Sequence, residues 1–458
     1  MTERGKLPAL ILAGLALRLM IAPLGGHPGD VATLARWAAA IHDHGLLNVY
    51  VTSDANYPPS GVALIGAAGW IYGWLAPGAE FPPEGALWLL AVKLPAILAD
   101  GGIMLIIAHL ARGRRGAGWL AASVAFNPAL VYLSAWWGQL ESVYALAALA
   151  SVIAAMKGRP FRAGLWLGAG MMVKLQAAVV WPVVVLAAVS FPPDPRLRHR
   201  RRGHSEGAGG NEAIAGMLHA MPLLAAGTAI PLALALIPYA ATGQAGLVAR
   251  RLIALVEGPG WPTVNALNTW YLLTGGAGNW AYNVPLAHPD TAPLLAGIPA
   301  RTAGAAALAL WTAGVLWAGW RARREASGAA WLLTGALLAL GVFLWPTQAH
   351  ERYAFGAVVL LAGAVAVSLP LQRQAGDDMP GSGFTGPSGT KVVWQSAALY
   401  AMITGAHTLN LLWAAPFSPR LAWFAGGRIA GSLIALAMLG GALWGWAVLY
   451  RWERRNAP

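Results

Sequence analysis

The sequence predicts an all-α protein threaded many times through a membrane. Three observations carry that prediction. Apolar runs repeatedly reach about 20 residues, the length a helix needs to cross a bilayer. The chain is 57% hydrophobic and only 11% charged. Its basic residues fall in short clusters between the apolar runs rather than along one face, which is the positive-inside pattern. That pattern accounts for the net charge of +13 without nucleic acid as a partner. The 23 Trp residues suit the membrane interfaces, where an indole keeps its body in lipid and its N–H in water. No polar stretch is long enough for a soluble domain. The segments 194–213 and 371–391, rich in Gly, Pro and charge, read as cytoplasmic loops with no assigned role. With no Cys in the chain, disulfide and thiol chemistry are excluded.

Placing the basic clusters inside sets the order of crossings. Arg4 and Lys6 hold the N-terminus in the cytoplasm, and 7–26 exits as a retained span rather than a signal peptide. Span 86–111 returns, because Arg112, Arg114 and Arg115 follow it. The apolar stretch 61–77 must then lie in the outer interface, within an external loop of about 27–85. Spans 117–135 and 139–156 lead out and back to Lys157, Arg159 and Arg162. Residues 163–191 sit between two basic clusters and so leave and re-enter by one side. As helix they measure roughly 43 Å, too short for two crossings. A pair of short helices reversing at Lys174-Leu175-Gln176, in a hydrated cavity, meets both constraints. Spans near 214–240, 302–320, 327–345, 354–370, 394–412 and 421–449 complete a bundle of about 12 transmembrane helices. They leave a second external loop at about 241–301 and both termini inside.

Polar motifs gather at the external ends of these spans. Asp30, partly desolvated beyond the first span, either serves as a base or stabilises a helix start. Asp54 and Asn56 precede Tyr57-Pro58-Pro59, whose prolines hold Tyr57 extended before a helix begins, as a structural turn or as a site wall. His42-Asp43-His44 points its side chains in different directions on a helix and makes a poor metal site. Lys93 and Asp100 share one face of a span, two turns apart, and each demands a polar or ionic setting at that depth. Lys93, nearer the outside, is the site candidate, and Asp100 is structural. Trp136-Trp137-Gly138-Gln139-Leu140-Glu141 is an external corner, with Gln139 and Glu141 opening the returning helix. A buried Lys174 needs an anion, for which a lipid phosphate is suited, and Gln176 shares its turn. His350-Glu351-Arg352-Tyr353 opens a span from outside, where helix N–H groups, His and Arg suit a phosphate; the other reading is an interfacial anchor. Asn265-Ala266-Leu267-Asn268-Thr269-Trp270-Tyr271 sets amides beside aromatics, which fits a sugar or any wet interface.

Taken in order, Asp30 with Trp37-Ala38, Tyr57-Pro58-Pro59, Lys93-Leu94-Pro95 with Asp100, Trp137-Gly138-Gln139 with Glu141, Lys174-Leu175-Gln176, Asn268 with Trp270, and His350-Glu351-Arg352-Tyr353 resemble the motifs of the GT-C superfamily of membrane glycosyltransferases. The resemblance is to the bacterial and archaeal mannosyltransferase-like branch that uses polyprenyl-phosphate sugars, and it runs from about residue 30 to 353. It implies a GT-C-like bundle with a catalytic module over 1–350 and C-terminal transmembrane helices over 351–458. The expected donor is a polyprenyl-phosphate sugar, with mannose favoured, and the acceptor a lipid or glycan hydroxyl at the outer face of the plasma membrane. Asp30 is the implied catalytic carboxylate, and Lys174, His350 and Arg352 the phosphate-binding set. Tyr57, Lys93, Gln139, Glu141, Gln176, Asn268, Trp270, Glu351 and Tyr353 are the expected substrate-binding residues. Glu141 departs from the pattern, standing where Asp is expected.

The chemistry follows from the donor. A polyprenyl phosphate leaves as a stable anion, so the enzyme must deprotonate the acceptor and hold the phosphate charge. Direct displacement with one base inverts the anomeric carbon. A Mg²⁺ or Mn²⁺ ion is compatible with such a donor, but no compact carboxylate cluster demands it. A flippase or transporter of a lipid-linked sugar, and a ligase or polymerase of lipid-linked glycans, would need similar phosphate contacts. Sparse charge in the inner halves of most spans and the lack of an internal repeat favour the transferase.

Overall fold

A computed structural model of the protein describes residues 3–191, 209–257, 260–275, 289–295, 297–372, 387–421 and 423–452. The loops expected at 194–213 and 371–391 lie largely outside the described residues. Among the described residues the regular structure is helical apart from a small antiparallel pair of strands, Pro293–Leu295 with Ile298–Pro299, and a few isolated bridges. Seven helices among the described residues are long and apolar enough to cross a membrane: Leu7–Leu24, Ala86–Ala111, Ala117–Trp137, Met217–Ala241, Ala300–Arg323, Glu351–Ser368 and Arg428–Arg451. Glu141–Met156, Leu175–Ser190 and Gly328–Leu344 are apolar but shorter. The chain is therefore a multi-pass helical membrane protein.

It forms two compact units, neither continuous in sequence: Met1–His27, Ala96–Ser142 and Glu257–Pro458 make the first, Pro28–Pro95 and Val143–Val256 the second.

In the first unit, a buried ion pair locks the opening helix. Arg18 on Glu3–Ile21 donates to Asp100 at 2.6 Å and to the carbonyls of Gly14 and Ala125. Ser134 donates to the same carboxylate at 2.7 Å. Buried charge at that depth requires such pairing. The crossing from Ala117 to Trp137 is not one regular helix. Asn127-Pro128 interrupts it, with the Asn127 side chain capping the next turn through the N–H groups of Ala129 and Leu130. It then widens into a π-helical turn over Tyr132–Trp137. The segment Ala300–Leu344 is helical throughout yet folded back on itself. The Trp311 indole donates to the Leu337 carbonyl at 2.8 Å, Gly319 lies against Thr334, and Gly304 lies against Trp345. A straight helix would put residues 304 and 345 roughly 60 Å apart. These contacts make two antiparallel limbs with the reversal past Arg323, where the basic cluster 321–324 places it.

In the second unit, Pro28–His44 and Pro59–Leu75 pack antiparallel, with Gly66 against Ile41 and Gly69 against Ala38. Trp70 and Trp74 stand exposed on Pro59–Leu75. Pro160–Val173 runs parallel to Gly209–Ala241, so tightly that a Cβ on Gly164 or Gly227 would collide with the other helix's backbone. The helix breaks at Lys174, whose φ of −149° and ψ of 135° are extended, and continues as a 3-10 turn, Leu175–Val180, before Trp181–Ser190. A 3-10 turn rises about 2 Å per residue, so this limb reaches further than regular helix of the same length.

Candidate functional site

The expected site residues divide between the two units, and each set has its own framework.

The first unit holds Gln139, Glu141, Asn268, Trp270, His350, Glu351, Arg352 and Tyr353. The corner before Gln139 follows from the π-helical turn, which Gly138 closes at a φ of 93°, a conformation that glycine adopts without strain. Trp137 is fixed there by its carbonyl, which accepts from the His27 N–H, and by parallel stacking on the His27 ring at 4.8 Å. Gln139 and Glu141 are consequently buried where the next helix starts. Arg352 reaches Glu141 at 3.3 Å and donates to Glu351 at 2.7 Å. His350 lies 3.9 Å from the second oxygen of Glu351, and its ring packs on Tyr353 at 5.3 Å. Five expected residues thus meet across more than 200 positions of sequence: two buried carboxylates, one guanidinium, an imidazole and a phenol.

Asn268 and Trp270 have inward partners. The Asn268 carbonyl oxygen accepts from the N–H groups of Trp270 and Tyr271, capping the short helix Thr269–Leu273, while its amide donates to Phe343. The Trp270 indole donates to the Trp345 carbonyl at 2.5 Å. These two side chains tie the 263–273 segment to the end of the 328–344 limb.

The second unit holds Asp30, Tyr57, Lys93, Lys174 and Gln176. Lys174 is only 4% exposed, and its ammonium lies 4.7 Å from the centroid of the Tyr57 ring. That ring is edge-on to Trp37 at 5.2 Å, and the Tyr57 carbonyl accepts from the Tyr50 hydroxyl at 2.6 Å. Gly61 sits against the carbonyl of Val173 so closely that a Cβ would clash, which brings the start of Pro59–Leu75 up to the helix end carrying Lys174. Gln176 is half-buried on the 3-10 turn, and Lys93 is buried within Ala86–Ala111. Asp30 occupies the first turn of Pro28–His44 and is half-buried.

Two other carboxylates of the second unit have settings of their own. Asp54 accepts from the Trp37 indole at 2.7 Å and lies 3.5 Å from Arg36. Burial pushes its pKa up, but the Trp37 hydrogen bond and the Arg36 charge outweigh that and hold it below the usual carboxylate range. Asp43 lies beside His42 at 3.1 Å in an exposed pair. Among the described residues no group of three or more His, Asp or Glu side chains is arranged to hold a metal ion.

Several residues that organise these sets carry no motif in the sequence. Arg18 partners Asp100, Arg251 donates to the Ser53 carbonyl at 3.0 Å beneath the Asp54 loop, and Asp290 ties together the segments around Gly260, Arg301 and Thr347. The sequence cue was charge inside or beside an apolar run, which holds for Arg18 and for Arg251, flanked by Leu247-Val248-Ala249 and Leu252-Ile253-Ala254, but not for Asp290. No protein-family model and no curated protein sequence matches the chain.

Proposed function

We propose that the protein is a GT-C-type glycosyltransferase that moves a sugar, mannose by preference, from a polyprenyl phosphate to a hydroxyl of a lipid or glycan acceptor. The reading places about 12 crossings in the plasma membrane, both termini in the cytoplasm and the reaction on the outer face. The observation that carries it is Lys174. A buried ammonium over an aromatic ring, at a break in a helix rather than inside one, is suited to the phosphate of a lipid that arrives through the membrane.

Asp30 takes the proton of the acceptor hydroxyl as that oxygen bonds to the anomeric carbon. The bond from that carbon to the phosphate oxygen breaks with its electron pair, and polyprenyl phosphate leaves as an anion. Lys174 stabilises the growing phosphate charge, and His350 and Arg352 are proposed to bind an anionic group of the substrate in the ground state. Glu141 and Glu351 orient the Arg352 guanidinium, since a fork of N–H donors pairs well with carboxylates. One base and direct displacement give inversion.

The test is transfer from radiolabelled polyprenyl-phosphate mannose in detergent with a membrane-lipid acceptor extract. Wild type is expected to transfer sugar, and Asp30→Asn to lose about 10²–10⁴-fold in turnover while still binding donor. If wild type leaves mannose, glucose and arabinose donors untouched, the transferase reading fails. Transport of lipid-linked sugar in proteoliposomes would then be measured.

A further inference from the structure

Asp290 lies outside every motif of the sequence, yet its carboxylate is fully buried and accepts more hydrogen bonds than any other described here. Arg301 donates to both of its oxygens, at 3.0 and 3.1 Å. Thr347 donates through its hydroxyl at 2.7 Å and Gln348 through its amide at 2.9 Å. The backbone is drawn into the same knot: the Asp290 N–H donates to Gly260, and the Arg301 N–H donates to the Asp290 carbonyl, each at 2.9 Å. Gln348 itself adopts a left-handed φ of 62°, which a non-glycine residue keeps only where its surroundings hold it. Its N–H donates to Trp261, and the Val264 N–H donates to Ala349. Asp290 therefore joins the 260–264 strand-like segment, the 289–301 segment and the reversal that ends at Ala349. The next residue is His350, followed by Glu351 and Arg352.

We infer that Asp290 is a positioning residue, an anionic hub that sets the 345–350 reversal and through it the placement of His350 and Arg352 against Glu141. The geometry requires a carboxylate. Asparagine has the same shape, but whichever way its amide turns, an NH₂ faces an Arg301, Thr347 or Gln348 donor, and the charge opposite Arg301 is gone. The segment 346–350 would then lose its shared acceptor while its covalent path stayed the same.

The experiment compares full-length wild type with Asp290→Asn by hydrogen exchange and by transfer kinetics. Only the kinetic arm rests on the transferase reading. Exchange at 346–353 is expected to quicken about tenfold or more, with protection elsewhere unchanged. The KM for the lipid donor is expected to rise about tenfold with kcat within about twofold. In a background carrying both His350→Ala and Arg352→Ala, Asp290→Asn should raise the donor KM no further, because it acts through those two residues. Unchanged local exchange overturns the inference, as does faster exchange throughout the chain, an unchanged donor KM, or an additive effect in that background. If wild type transfers no sugar, the transferase reading falls, and exchange at 346–353 still decides whether Asp290 holds that segment.

Discussion

Lys174 and Asp54 show how side chains of like exposure to sequence reading differ in physical role. A lysine in a 29-residue apolar stretch stood out because an ammonium at membrane depth needs compensation, but nothing in the sequence pairs it with Tyr57, 117 positions earlier. Replacing it by Met keeps a long flexible side chain and removes the charge. Lys174→Met is expected to weaken binding of a polyprenyl-phosphate sugar about 10–100-fold, the worth of a charge-assisted hydrogen bond, with Lys174→Arg intermediate; equilibrium binding in detergent measures both. Asp54 is instead tied to Trp37 and Arg36. Its pKa is lowered on folding, so it binds protons less readily in the native state than in the unfolded one. Stability from this group is present above the unfolded value of about 3.9 and is lost as pH falls through the lower native value. Asp54→Asn is expected to lower the melting temperature at neutral pH and to converge on wild type in acid, which flattens the fall of the melting curve through that range. Asp54 and Asp30 were both legible as carboxylates beside apolar spans; that Asp54 accepts from the Trp37 indole was not.

At the scale of the element, apolar length is legible and irregularity is not. Runs of apolar residues mark the crossings because lipid demands them. The π-helical turn over Tyr132–Trp137 and the extended residue at Lys174 depend on what packs around them. The expected span 117–135 runs straight through Asn127-Pro128; the capping of the next turn by Asn127 is local, whereas its amide's bond to the Tyr400 hydroxyl at 2.8 Å is tertiary. Glycines divide the same way. Gly227 faces the backbone of Phe161, while Gly73 has nothing within 4 Å. Gly227→Ala is expected to cost about 1–3 kcal/mol through overpacking, read as a lower melting temperature. Gly73→Ala is expected to be neutral or to stabilise by up to about 1 kcal/mol, since alanine favours helix. The basic cluster at 112–115 has a second use beyond charge. Arg114 donates to the carbonyls of Val367 at 3.0 Å and Leu369 at 2.5 Å, capping the end of Phe355–Ser368. Arg114→Ala is expected to destabilise by about 1–3 kcal/mol, more than Arg112→Ala, whose side chain is exposed.

For the whole molecule, the positions of the basic clusters set a crossing order, and the folded-back limbs of Ala300–Leu344 reverse where that order requires. The division into two discontinuous units was not legible, because it depends on which helices pack together over hundreds of residues. The orientation remains a consequence of the charge pattern, and the chain is built for a clean test of it. With no Cys among its 458 residues, any introduced thiol reports alone. Thr52 and Thr242 are exposed in segments that the charge pattern predicts to be outside, whereas Arg112 and Lys157 are exposed within basic clusters that it predicts to be inside. In right-side-out vesicles, a membrane-impermeant maleimide is expected to label Thr52→Cys and Thr242→Cys and to spare Arg112→Cys and Lys157→Cys. In inverted vesicles the pattern should exchange. Labelling of Lys157→Cys together with Thr52→Cys from the same side would break the crossing order itself. A full exchange of the two patterns would keep the order and move the proposed chemistry to the cytoplasm, where a nucleotide sugar rather than a lipid-linked one would be the donor to test.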